Sequence, residues 1–312
     1  MSLLGKIAFV FPGQGAQAVG MGKDAYDAHE GARSKFIQAD TALDVALSQI
    51  IFEGPEEALK MTVNTQPALL TASMAYLEVL SKHGIVPDYV AGHSLGEYSA
   101  LVAAGAIGFE DAVRTVRARG QFMEQAVPGG QGAMAAVLGA EREALAELCA
   151  KISSSVGVVE LANVNCPGQI VVSGSKEGVQ AIVEQGKEIG AKRVIPLEVS
   201  GPFHSSLMKP AAGRLAEVLA AVPMQPAAIP VVTNVTARAE QNPDRIRSLL
   251  VEQVYSPVLW EDSIVWLIGE GVDTFVEIGS GTVLAGLIKK VDRSVKVVSV
   301  GSLEAAEQFN LA

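Results

Sequence analysis

Tyr89-Val90-Ala91-Gly92-His93-Ser94-Leu95-Gly96-Glu97-Tyr98-Ser99-Ala100 is the stretch on which the reading of this 312-residue chain turns. Pro87-Asp88 marks a turn before it, and Tyr89-Val90-Ala91 reads as a short buried strand. Ser94 to Ala104, rich in Ala and Leu, reads as a helix. Between them Gly92-x-Ser94-x-Gly96 matches G-x-S-x-G, in which a serine sits on a sharp strand-to-helix turn. Such a turn needs small residues two before and two after the serine, and Gly92 and Gly96 supply that room. Ser94 would then lie at a helix N-terminus, where free backbone N–H groups stabilise a developing oxyanion. In a chain with 31 glycines the pattern alone could be chance. The strand before it and the helix after it favour a nucleophile.

The stretch sits in a chain with 49% hydrophobic and 19% charged residues, the composition of a globular protein with a large core. A net charge of −10 argues against a nucleic-acid partner, which needs a basic surface. Two cysteines, Cys149 and Cys166, have neither metal-type spacing nor a disulfide framework, which suits a reducing cytoplasm. Residues 1–11 are apolar but interrupted by Lys6 and run into Pro12-Gly13, so they read as a first buried strand, not a signal peptide. The uncharged run Tyr98 to Phe109 is too short to span a bilayer, and Val218 to Ala237 is broken by Pro223, Pro226 and Pro230. No membrane association is expected.

The loop Pro12-Gly13-Gln14-Gly15 after the first strand lacks the lysine of a P-loop and the third glycine of a dinucleotide fingerprint. Asn64-Thr65-Gln66-Pro67 is a plausible helix start, followed by an apolar stripe at Leu69, Leu70, Met74, Leu77 and Leu80. Phe109-Glu110-Asp111 opens another helix, which carries Arg114, Arg117 and Arg119. Beyond the linker Val127 to Gly132, the pattern gives strand (133–138), helix (141–153), strand (156–162), strand (169–173), helix (176–189) and strand (192–197). That β-α-β-β-α-β order is ferredoxin-like. The expected fold is α/β: a hydrolase-like, mostly parallel sheet with flanking helices (1–128 and 198–312), plus an inserted ferredoxin-like α+β subdomain (129–197). Substrates commonly occupy the cleft between such domains, and Asn163 and Asn165 would face it.

A nucleophilic serine needs a base, and the chain has four histidines. His29 and His83 sit at the ends of polar helical stretches, and the His93 side chain leaves the turn away from Ser94. His204, in the Gly-Pro loop Ser200-Gly201-Pro202-Phe203-His204 before a helix, is the best candidate.

Gly92-His93-Ser94-Leu95-Gly96-Glu97 resembles the active-site signature of malonyl-CoA:acyl carrier protein transacylases and of the acyltransferase domains of fatty acid and polyketide synthases. The resemblance extends along essentially the whole chain. It implies that Ser94 is the nucleophile and His204 its base, oriented by the backbone carbonyl of Gln253 in place of a triad carboxylate. Gln14 and Leu95 would donate backbone N–H groups to the oxyanion. Arg119 would bind the free carboxylate of a malonyl group, a role suited to a planar, permanently charged fork. Phe203 resembles the malonyl-selective form of its loop, where a bulky ring leaves no room for an α-methyl, although many bacterial transacylases carry a smaller residue there. Thr65-Gln66-Pro67 and Gly279-Ser280-Gly281 also look family-like, with a helix cap and tight packing as the alternatives.

The function so implied is ping-pong transfer of malonyl from malonyl-CoA to the phosphopantetheine thiol of acyl carrier protein, for fatty acid synthesis, with no cofactor or metal. A monomer is expected, since the family is often monomeric. A trans-acting polyketide acyltransferase is the alternative within the family. A serine hydrolase would have no need of Arg119, and a non-catalytic carrier-binding subunit no need of the five matching positions. Lys289, Lys290 and Arg293 read either as a docking patch for the carrier or coenzyme A phosphates, or as a solvated helix end.

Overall fold

The computed structural model describes residues 5–310; the first four residues and last two of the expected core domain lie outside that range. Strand β1 (Lys6–Phe11) is apolar from Ile7 onward and its last four residues are buried, as a strand covered on both faces must be. It lies at the centre of a six-stranded sheet. Its parallel neighbours are β2 (Tyr89–Gly92) and, on the other side, β10 (Val272–Ile278). The order is β11-β10-β1-β2-β7-β8, with β7 (Val231–Val232), β8 (Ala239–Glu240) and β11 (Lys296–Val300) completing it. Every pairing is parallel except β7 with β8. One face packs on a large core including Phe9, Phe11, Leu69 and Tyr98, the other on Val10, Trp260 and Phe275.

The second sheet has the order β6-β3-β5-β4-β9, from β3 (Gly132–Leu138), β4 (Val159–Cys166), β5 (Gln169–Ser175), β6 (Arg193–Pro196) and β9 (Val258–Leu259). Its first four strands, all antiparallel, follow the ferredoxin-like arrangement. The helices Arg142–Ser153 and Lys176–Gln185 close one face over Val137, Leu145, Val172 and Ile182. The fifth strand comes from the far side of the chain: Asn163 pairs with Val258 and Val164 with Leu259.

Two of the boundaries that differ from the sequence reading do so for non-local reasons. The strand expected at 156–162 is Val159–Cys166, because β5 and β9 supply ladder partners out to Cys166. The helix expected to start at Asn64 begins at Thr62, whose N–H is capped by Glu124 Oε1 at 2.6 Å from a neighbouring helix. Pro67 is therefore inside the helix Thr62–Leu80, not at its start. No helix among the described residues is long and apolar enough to cross a membrane.

The chain leaves β1, β2 and β7 at the same edge of the sheet. Parallel strands end together, so the loops after them converge, which is the general location of sites in α/β folds. Pro12-Gly13-Gln14, His93-Ser94 and Thr233-Asn234 all lie at this edge.

Candidate active site

Ser94 lies two residues beyond the end of β2, after His93, and has φ of 51°, a left-handed conformation strained for any residue with a Cβ. Its glycine neighbours explain how the turn closes. A Cβ on Gly92 would lie 1.9 Å from the Gly96 carbonyl group, and one on Gly96 would lie 2.1 Å from the Phe11 carbonyl oxygen. The turn can only be this tight if both side chains are absent. Asn234, at the end of β7, staples it: its Oδ1 accepts from the Ser94 N–H at 2.7 Å and its Nδ2 donates to Gly92 O at 2.7 Å. The helix Gly96–Ala103 then starts two residues beyond the serine, slightly later than expected.

The structure brings Ser94 and His204 together, Oγ to Nε2 at 2.8 Å. His204 is also left-handed, with φ of 59°. Its Nδ1 is 2.8 Å from the backbone oxygen of Gln253, the last residue of the helix Pro243–Gln253. A carbonyl only accepts, so Nδ1 carries the proton and Nε2 is left free to accept from the serine. Burial, and then the charge of Arg119, hold the His204 pKa down to about 3. The ring is therefore neutral over the physiological range, the form a base requires.

Arg119 lies on the helix Phe109–Gln125 and is 1% exposed. Its guanidinium donates to Gln66 Oε1 (2.8 Å), Gln253 Oε1 (2.9 Å) and Ser94 Oγ (3.1 Å), all neutral acceptors, while Nε has none. A buried cation without a carboxylate partner is expensive, and its charge is directed at the nucleophile. The backbone amides of Gln14 and Leu95 line the same cavity and find no protein acceptor among the described residues. Both are thereby available to an oxygen that forms at the serine.

The cavity, about 270 Å³, is closed on its far side by the second sheet. Asn163 and Asn165 project into it from β4, with Met134 and Val171 beside them. Asn165 Oδ1 is 2.8 Å from His93 Nε2, so His93 spans the two walls and does not approach Ser94 as a base. Phe203 also lines the cavity and is 6% exposed. The outlying expectations resolve differently. Lys289 Nζ bonds Arg293 O and Val295 O, and Lys290 Nζ bonds Gln169 Oε1, so two of the basic residues tie the molecule together. Gly279, with φ of 140°, packs against Ser73 and Pro12, the tight-packing alternative.

Two residues, Asn234 and Glu97, are site components that the sequence reading does not name. Asn234 could have been found as a polar residue closing a buried strand at the sheet's carboxyl edge. Glu97, in the quoted signature itself, has its Oε2 2.8 Å from the Asn234 N and 2.9 Å from Gln253 Nε2. Gln253 contributes its side chain as well as the expected carbonyl, and no local pattern signals that second role or the role of Glu97.

A strained serine on the elbow of a parallel sheet, a neutral histidine within hydrogen-bond reach and two free amides define a serine acyl-transfer site on an α/β fold. The acyl transferase domain model matches residues 8–307, and the chain belongs to that family. It is 56% identical over 304 residues to the malonyl CoA-acyl carrier protein transacylase of Bacillus subtilis (strain 168), covering 97% of this chain and 96% of that one. The acyl-carrier-protein-S-malonyltransferase of Bartonella henselae superposes with a TM-score of 0.94 at 44% identity, covering 97% of each chain. A malonyl-transacylase solved in complex with a type II polyketide synthase acyl-carrier protein superposes at 0.93 and 42% identity, covering 96% of this chain and 97% of that one.

Proposed function

We propose that this protein transfers a malonyl group from malonyl-CoA to the phosphopantetheine thiol of an acyl carrier protein, through a malonyl ester on Ser94. The observation that carries the choice of acyl group is Arg119: a buried guanidinium with only neutral partners, 3.1 Å from the Ser94 oxygen. A free carboxylate is the ligand that such a fork lacks.

In the first half-reaction Ser94 Oγ attacks the thioester carbonyl as its proton passes to His204 Nε2. The carbonyl oxygen becomes an oxyanion held by the Gln14 and Leu95 N–H groups. The intermediate collapses, the C–S bond breaks, and coenzyme A leaves as the thiol once His204 returns the proton. The Gln253 carbonyl steadies the imidazolium meanwhile, less strongly than a carboxylate would. Binding of the malonyl carboxylate also offsets the Arg119 charge that depresses His204, so the correct substrate makes its own base stronger. The carrier thiol then reverses the path. The steps balance with the dyad alone and call on no cofactor or metal.

Phe203 would crowd an α-methyl group and so favour malonyl over methylmalonyl. A reducing cytoplasm fits the two buried free thiols, and the lack of a nucleic-acid partner fits the acidic chain. Intact-protein mass after brief mixing with malonyl-CoA, acetyl-CoA or methylmalonyl-CoA tests the reading. The expected result is a malonyl adduct on the wild type, absent from Ser94→Ala and discharged by carrier protein. Free coenzyme A accumulating with no adduct and no carrier product would indicate a hydrolase instead.

A further inference from the structure

Glu97 is the ionisable group at the site that acyl transfer leaves without a task. It sits three residues after the nucleophile, 1% exposed. Its Oε2 accepts from the Asn234 N–H at 2.8 Å and from Gln253 Nε2 at 2.9 Å. The other end of that carboxamide, Gln253 Oε1, accepts from Arg119 at 2.9 Å. In space the order is Glu97, the Gln253 amide, Arg119, then Ser94 Oγ. The orientation of the amide is not arbitrary, because its nitrogen faces three oxygens: Glu97 Oε2, Ser94 O at 3.1 Å and Asn234 Oδ1 at 3.2 Å. The carboxylate and the guanidinium therefore polarise one amide from opposite ends.

We infer that Glu97 is a positioning residue and proton-linked counter-charge for Arg119: it aligns Gln253 on the guanidinium and takes up a proton when a carboxylated acyl group binds there. The inference rests on the malonyl reading above. The groups facing Glu97 are few. Arg119 acts on it from the helix Phe109–Gln125 and Tyr98 from its own helix. Asn234 after β7 and Gln253 present only uncharged N–H donors. Burial pushes the Glu97 carboxyl up to about 7, against the Asn234 and Gln253 hydrogen bonds and the attraction of Arg119. A second carboxylate arriving at the same guanidinium weakens that attraction and adds a like charge, so the proton comes from solvent onto Glu97. It returns to solvent when malonyl leaves, and no net proton is consumed over the cycle.

The test is calorimetric binding of malonyl-CoA and acetyl-CoA to Ser94→Ala protein at pH 7, in buffers of different ionisation enthalpy. Uptake of roughly half a proton is expected with malonyl-CoA and none with acetyl-CoA. Glu97→Gln keeps an oxygen for the Asn234 and Gln253 donors and removes the charge. Ser94→Ala/Glu97→Gln should therefore bind malonyl-CoA without proton uptake. A second readout needs no change at Glu97: in the wild type, the KM for malonyl-CoA relative to acetyl-CoA should rise roughly five- to tenfold from pH 6 to pH 8. Malonyl binding without uptake, uptake that survives Glu97→Gln, or a flat KM ratio each overturns the inference alone. Absence of any preference for malonyl-CoA would overturn the malonyl reading and this inference with it.

Discussion

Ser94 and His204, on one wall of the cavity, hold φ angles of 51° and 59°, whereas Asn163 and Asn165, on the facing wall, lie in β4 without positive φ, in a stretch where its register against β5 shifts. Only two other non-glycine residues with positive φ, Asp44 and Ala237, occur among the described residues. Backbone strain is thus concentrated at the reacting pair. The strained wall is also where charge is buried: Arg119 and Glu97 meet through the Gln253 carboxamide, while the neutral His204 is held by the backbone oxygen of the same residue. The facing wall offers two neutral amides and apolar side chains. Chemistry and substrate accommodation are separated in space, and they differ in how far they tolerate change.

That difference is sharpest at the glycines. Gly92→Ala would force a Cβ to 1.9 Å from backbone that cannot move without displacing Ser94. Its expected cost is about 4 kcal/mol or more, at the upper end for single substitutions. Gly129→Ala, in the linker with open space around it, should stay within about 0.5 kcal/mol. Denaturant unfolding of both measures the contrast, and equal costs would break it. Next in size, His204→Ala should lower kcat for malonyl transfer about 10³-fold with little loss of stability, as removal of a general base does. Single-turnover acylation of Ser94 would show it.

Legibility in the sequence follows the same division. The elbow was readable because G-x-S-x-G, a short strand and an Ala-rich helix are all local, and each is required by the turn. The β-α-β-β-α-β order was readable because periodicity is local too. Gln14, Leu95, Arg119 and Gln253 came through family likeness, since no spacing rule brings residues so far apart to one cavity. Asn234 and Glu97 escape the sequence reading because contacts such as Ser94–Asn234, Glu97–Asn234 and Glu97–Gln253 span 137 to 156 residues, and buried polar contacts of that kind leave no periodic trace. The start at Thr62 and the length of β4 were misplaced for the same reason: Glu124 and β9 decide them.

Arg119→Ala tests which wall selects the acyl group. It should reduce malonyl transfer about 30- to 100-fold, the scale of one charge-assisted pair, and acetyl transfer much less. Equal losses in competition assays would make Arg119 a structural residue. The charged wall also predicts a stability profile. His204 is held at about 3 against an ordinary 6.5, so the unfolded chain binds a proton that the folded one refuses, and stability falls as pH drops below 6.5. Glu97 is raised to about 7 from 4.5, so the folded chain binds the proton first, and stability falls as pH rises between 4.5 and 7. The two slopes oppose between pH 4.5 and 6.5 and nearly cancel. Glu97→Gln should uncover the His204 slope, with stability then rising with pH by about 1 kcal/mol per unit in that window. A variant as flat as the wild type would remove one of the two groups from the account.

The smallest effect should come from the facing wall. Asn165 touches His93 at 2.8 Å, a single neutral hydrogen bond between the two sheets. Removing it in Asn165→Ala forgoes about 1 kcal/mol, so KM for malonyl-CoA should rise roughly fivefold while kcat stays near the wild-type value. That split follows from position: Asn165 can help to place the substrate but contacts neither Ser94 nor His204. If kcat fell as far as in His204→Ala, His93 and its wall would belong to the catalytic geometry, and the separation between strained chemistry and tolerant accommodation would fail at a hydrogen bond that joins the two walls.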